Sequence, residues 1–340
     1  MTVNAKQLSV TLAITGVFLA LAFYRVDLAE VRRAFSHVNY LYLLPTSLVI
    51  CLGFATRALR WRYMLQSQRR IGIGGAFSAM MIGYLVNNLL PARLGELART
   101  YVLRREEGVS MSFSLATIVV ERVLDSLVVV ACLIVTLPLF STSPSVRQSA
   151  YLGGGILAIA LAVSALSTRW EQPILTLMVR VTGRFSTHVG EMVAGVLTNF
   201  SAGLRTLQSR FLVPVFVLSL LAWVTSAVTL YLVLLSMGIS ISLGGTIFTT
   251  ALLGISMMVP ASPGSLGTYE FFATSGLVLL GVERAQALSL SLLLHIFSYA
   301  HVIGLGLISL WSRGLSLQGL RASLAEAETP GTIAPGGNRR

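Results

Sequence analysis

The densest chemistry in this chain lies at residues 87–99, NNLLPARLGELAR, where a proline, a glycine, two arginines and a glutamate interrupt membrane-grade apolar sequence. Arginine presents a planar fork of donors that grips a phosphate through paired hydrogen bonds. Arg93, Glu96 and Arg99 are spaced by three, so a helix places Arg93 and Glu96 on one face with Arg99 a turn further along. A glutamate between two arginines can hold both and leave donors free, which suits a lipid phosphate with Arg93 nearest the membrane midplane. The alternative is an ordinary ion pair at a surface loop. Asn87 and Asn88, directly before the break, either cap exposed backbone or touch a headgroup.

A second group, Glu121, Arg122 and Asp125, sits inside the apolar run 113–140. An ionised group at the centre of a bilayer costs roughly 2.5–3.5 kcal/mol on insertion scales, so such residues either line a path or tie helices together. Glu121 and Asp125 are four apart and face one way, while Arg122 and Asp125 are three apart and can pair. Glu270 is the only acidic residue between Glu191 and Glu283. His295 and His301 are six apart and share no helix face, and Cys51 and Cys132 lie in apolar runs, so no metal site, cofactor or disulfide is expected.

These groups need elements that hold polar backbone inside a membrane. The pattern Pro-x-x-Leu-Gly, with a glutamate shortly after, occurs at Pro91 to Gly95 with Glu96 and again at Pro263 to Gly267 with Glu270, 172 residues later. A helix broken in lipid exposes amides and carbonyls, tolerable only where protein or a water-filled cavity satisfies them. Pro91, Gly95, Pro263, Gly264 and Gly267 therefore mark either two re-entrant hairpin tips or two plain loops. Helices that begin after such breaks turn positive dipole ends toward the cavity.

Hydrophobic residues make up 55% of the chain, charged residues 11%, and the mean hydropathy is +0.79, which places it among integral membrane proteins. The expected fold is an all-α polytopic membrane protein with about six full spans, at 8–24, 40–59, 113–140, 149–168, 211–236 and 285–311, joined by a mixed-charge loop at 25–39. Two opposed re-entrant hairpins, 71–105 and 241–281, complete an inverted repeat of halves 1–148 and 149–320. An amphipathic segment at 169–210 lies along the interface, and 321–340 reads as a disordered tail.

Arg57, Arg60, Arg62, Arg69 and Arg70 form the densest basic cluster, a cytoplasmic loop by the positive-inside rule, which puts both termini inside. Arg25, Arg32, Arg33, Arg147 and Arg284 fall outside, and Arg93 and Arg122 are embedded. The net charge of +12, carried by arginines except for Lys6, suits anionic headgroups, and nothing resembles a nucleic-acid module.

No nucleophile elbow, HExxH, Walker loop or metal-spaced aspartate pair is present, so no enzyme activity is expected. The Arg60-Trp61 pair, Asn88 with LPARLGE at 90–96, Glu121-Arg122 with Asp125, and PGSLGTYE at 263–270 resemble the transmembrane region of lysylphosphatidylglycerol synthase, a flippase-like family. The resemblance covers nearly the whole chain. It implies movement of a lipid or lipid-linked headgroup between leaflets of a bacterial or archaeal inner membrane. The chain ends near residue 340 without the aminoacyl transferase domain of two-domain members, so lysyl-lipid synthesis is not expected.

The expected function is thus a flippase or scramblase for an anionic phospholipid or a polyprenyl- or isoprenoid-linked lipid. Arg93 and Arg99 would bind phosphate, Glu96 would orient them, Asn88, Glu121, Arg122 and Asp125 would line or gate the path, and Glu270 would complete the opposite hairpin. The alternatives are a membrane-embedded lipid-modifying transferase and a partner subunit of a lipid-synthesis enzyme. A homo-oligomer is compatible with either reading.

Overall fold

The computed structural model of this chain describes residues 5–24, 26–90, 94–140, 211–258, 263–316 and 319. Pro91, Arg93, the expected span 149–168, the segment 169–210, the boundary between the expected halves, and the tail 321–340 lie outside the described residues. Among the described residues the secondary structure is ten α-helices and two short 3-10 turns, with no strand. The all-α polytopic expectation holds.

Apolar helix α1, Ala5–Phe23, is followed by α2, Leu28–Ser36. The residues 25–39 were expected to be a loop, but Asp27 caps a helix there, its Oδ1 accepting from the Ala29 amide at 2.8 Å. Capping supplies one of the orphan helix-terminal contacts and is enough to nucleate a short amphipathic turn.

Next come α3, Leu43–Leu65, α4, Ile73–Leu89, α5, Gly95–Glu107, and α6, Met111–Phe140. Later in the chain the order long, short, short, long recurs with α7, Leu212–Ser236, α8, Leu243–Met258, α9, Thr268–Leu279, and α10, Arg284–Ser312. Helix lengths run 23, 17, 13 and 30 residues in the first set and 25, 16, 12 and 29 in the second. Tyr40–Leu65, Met111–Phe140, Leu212–Ser236 and Arg284–Ser312 are long and apolar enough to cross a membrane. At 1.5 Å per residue, α4 spans only about 26 Å, short of a hydrocarbon core of about 30 Å, and α5, α8 and α9 are shorter still.

The matching long helices α3 and α7 pack antiparallel. Asn39 N donates to Ser236 O at 2.7 Å, Arg57 reaches Ser226 at 2.9 Å, Arg60 reaches Ser219 at 3.2 Å, and the Tyr63 and Phe211 rings lie 6.0 Å apart, so numbers rise on one helix as they fall on the other. In addition, α4 packs on α10, and α8 packs on α6. Two apolar cores form, each mixing early and late parts of the chain: one around Trp61, Met81 and Leu103 also takes in Val215 and Leu310, and the other around Leu234, Tyr269 and Leu290 takes in Val38. Leu41, Leu44, Leu48 and Leu52 stand exposed along one face of the α3 segment, an arrangement that suits lipid and not water.

The expected second span, 40–59, ended too early. α3 continues to Leu65 and carries Arg60 and Trp61 fully buried. Arg60 therefore does not belong to a cytoplasmic loop. A charge stays in a helix interior when opposite charges face it, and α6 supplies them.

Candidate functional site

The two breaks come together. The turn Pro263–Ser265 packs on α4, and Tyr299 of α10 donates its hydroxyl to the Asn88 carbonyl at 2.5 Å while its ring lies against Gly264. Gly264 has φ +68°, a conformation open to glycine, and a Cβ there would run into the Tyr299 ring.

At the first break, α4 and α5 approach so closely that a Cβ on Gly95 would meet the Gly83 carbonyl, and one on Gly83 would lie 2.7 Å from the Gly95 carbonyl. Asn87 Oδ1 accepts from the Gly95 amide at 2.8 Å, so Asn87 is the backbone cap expected of it. At the second break Gly267, φ +86°, begins α9, and Glu270 reaches back to accept from its amide at 2.7 Å. Both α5 and α9 thus start at the breaks, with their positive ends there.

Beside the first break lies a cluster of four charges, in which Arg60, Arg99 and Glu121 are buried and Asp125 is partly buried. Glu121 Oε1 faces Arg60 at 3.1 Å and its Oε2 faces Arg99 at 2.9 Å. Asp125 holds Arg60 through two hydrogen bonds of 2.7 and 3.2 Å and accepts from Trp223 Nε1 at 3.2 Å. The Arg99 guanidinium carbon sits 3.5 Å over the Trp61 ring, and Trp61 donates to Thr117 at 3.0 Å. Two arginines and two carboxylates from α3, α5 and α6 cancel in charge, and Ser219 and Trp223 join α7 to them.

These pairings differ from those expected in three respects. Arg99 is only 2% exposed and is committed to Glu121 and Trp61, so its guanidinium is not presented to a headgroup. Asp125 pairs with Arg60 and not with Arg122, because on α6 Glu121 and Asp125 both turn toward α3. Arg122 instead faces Glu96 at 3.5 Å, with 45% of its side chain exposed. The open side of the first break thus carries Arg122 and Glu96.

Glu270 does not play the part of Glu96. It is buried, holds Gly267, and meets His295 Nδ1 at 2.5 Å, whereas Glu96 is partly exposed beside an arginine. Sequence reasoning missed Arg60, Tyr299 and the His295 pairing. A usable signal for Arg60 was charge balance: two carboxylates embedded in α6 with one arginine require another cation from a neighbouring helix. Among the described residues no cluster of three or more His, Cys, Asp or Glu side chains could hold a metal.

A family model described as the lysylphosphatidylglycerol synthase TM region matches residues 8–306. Glycosyltransferase AglD of Haloferax volcanii is 27% identical over 90% of this chain, which spans 54% of that protein. UPF0104 membrane proteins of Methanocaldococcus jannaschii and Pyrococcus horikoshii are 23% and 22% identical over 66% and 86% of this chain, covering 92% and 93% of those proteins.

Proposed function

Because this chain belongs to the lysylphosphatidylglycerol synthase TM-region family, we propose that it moves an anionic phospholipid or a polyprenyl- or isoprenoid-linked lipid between leaflets, as a flippase or scramblase. The chain is a multi-pass membrane protein, and its archaeal relatives include proteins named as membrane proteins. The observation that carries the reading is the meeting of two broken helices at Tyr299, with an exposed Arg122 facing Glu96 in the first turn of α5. Short helices that end mid-protein fit re-entrant hairpins, and the antiparallel α3–α7 pair fits an inverted repeat with the site at the repeat interface.

In this reading Arg93 and Arg122 take the phosphate at the positive end of α5, and Glu96 orients Arg122. Asn88 carries the carbonyl that Tyr299 holds. Arg60, Arg99, Glu121 and Asp125 form the rigid wall behind the phosphate, and Glu270 shapes the opposite tip. The lipid tails remain in the bilayer while the headgroup passes. The protein sits in the cytoplasmic membrane with both termini inside, and halves 1–148 and 149–320 move against each other.

The test is reconstitution in liposomes with headgroup-labelled phosphatidylglycerol or polyprenyl phosphate. Leaflet exchange by the native protein, lost in Arg93→Ala and Arg122→Ala variants that still fold, supports the reading. Absence of exchange for both lipids overturns it.

The printed name of the Haloferax volcanii relative favours one other reading, a membrane-embedded lipid-modifying transferase. A glycosylated lipid formed by purified protein from a sugar donor would establish that reading instead.

A further inference from the structure

The second hairpin holds a buried acid–base pair that phosphate binding does not use. His295 Nε2 lies 2.9 Å from the Gly264 carbonyl oxygen, and Nδ1 lies 2.5 Å from Glu270 Oε1. A carbonyl oxygen only accepts, so Nε2 carries a proton. The Nδ1–Oε1 contact needs a second proton between the two atoms, because an imidazole lone pair and an ionised carboxylate repel at that distance. The two residues together are then neutral, whichever atom holds the shared proton.

The pair also spans the break. His295 holds the carbonyl of Gly264, and Glu270 Oε2 holds the amide of Gly267, 2.7 Å away. Removing the shared proton leaves a net negative pair with a bare nitrogen facing a carboxylate or a carbonyl. That arrangement cannot persist, so the pair must part and release the break.

Among the described residues, this pair makes no ion pair with a third charged side chain. Tyr269 stacks on His295 at 4.2 Å between ring centres and Tyr299 meets it edge-on at 5.8 Å. Of the packed helices, α8 has no ionisable side chain, α7 has only Tyr231, α4 only Tyr84 and α1 only Lys6. α3 carries Cys51, Tyr63 and three arginines, of which Arg57 reaches Ser226, Arg60 pairs with Glu121 and Asp125, and Arg62 donates to the Ile71 carbonyl. On α2, Glu30, Arg32, Arg33 and His37 are exposed. Because Tyr299 also holds Asn88, opening of the pair reaches the first break.

We propose that Glu270 and His295 form a proton-binding site whose loading closes the second break and whose unloading opens it, coupling lipid movement to a proton gradient. The coupling half of this inference rests on the transport reading above. One proton enters between Oε1 and Nδ1 and leaves from there, with no other covalent bond made or broken. One proton moved per lipid would support an about tenfold asymmetry between leaflets per unit of pH gradient.

Two measurements test the proposal. The first is 15N spectroscopy of full-length protein labelled at histidine, with His37, His188 and His301 replaced so that His295 alone reports. The site predicts a shared-proton imidazole signal that converts on titration and is altered by Glu270→Gln. The second is leaflet exchange in vesicles with and without a pH gradient, where the gradient response seen in native protein disappears in His295→Gln.

An invariant neutral His295 signal, with exchange indifferent to the gradient, overturns the proton site and leaves the transport reading standing. A titrating His295 without lipid exchange retains the proton-binding site and removes its coupling to lipid. If His295→Gln does not fold, the titration of the single-histidine protein still decides whether the site exists.

Discussion

The Tyr299 hydroxyl donates to the Asn88 carbonyl at 2.5 Å, so α10 satisfies backbone freed at the end of α4. Its ring also covers Gly264, and one side chain thereby touches both breaks. Tyr299→Phe keeps the ring and loses the hydrogen bond. It should lower stability by about 0.5–1.5 kcal/mol in thermal melts, and slow leaflet exchange because the breaks no longer move together. Native behaviour in both assays would show that the bond is incidental.

Gly264 tests the same junction from the other side. Alanine at φ +68° costs about 1–2 kcal/mol from backbone strain alone, and the added methyl meets the Tyr299 ring. Melting of Gly264→Ala should fall by at least that amount. Adding Tyr299→Leu should recover only the steric part, so a double variant that melts like Tyr299→Leu alone would refute the strain.

The charged residues should divide into those that hold the fold and one that faces outward. Glu121→Gln leaves Arg60 and Arg99 with Asp125 as their remaining carboxylate in the cluster. Breaking such a buried group costs about 3–5 kcal/mol, and the expected outcome is loss of folded protein in detergent. Arg122→Ala, half exposed and paired only loosely with Glu96, should change stability by no more than about 0.5 kcal/mol and abolish exchange. An unfolded Arg122→Ala would reassign that arginine to the structural group.

The antiparallel α3–α7 pair makes a topological prediction. With Cys51 and Cys132 replaced, single cysteines at Gln68, between α3 and α4, and at Ser240, between α7 and α8, should react with an impermeant maleimide from opposite sides of sealed vesicles. Labelling of both from one side would contradict the inverted arrangement.

Much of this architecture is local and was legible along the chain. The long apolar runs became α1, α3, α6, α7 and α10, and the Pro-x-x-Leu-Gly repeats fell between α4 and α5 and between α8 and α9. The capping role of Asn87 was also legible, since a short polar side chain just before a break has few other uses. The helix after Asp27 was missed because its mixed charges read as solvent-exposed loop, although an aspartate cap stood at its start.

The amino-acid sequence by itself determined that this is a helical membrane protein with two matching breaks and charges near them. Hydropathy and helix breaking act over a few neighbouring residues, so they need no knowledge of the fold. Only the tertiary structure decided which charge meets which. Arg60 stands 65 residues from Asp125, and His295 stands 25 from Glu270, yet each pair is in contact. In a medium of low dielectric constant a buried charge is governed by whichever opposite charge packing brings within a few ångströms. Spacing on its own helix offered Arg122 the partner Asp125, and packing gave Asp125 to Arg60 instead, leaving Arg122 to face outward beside Glu96.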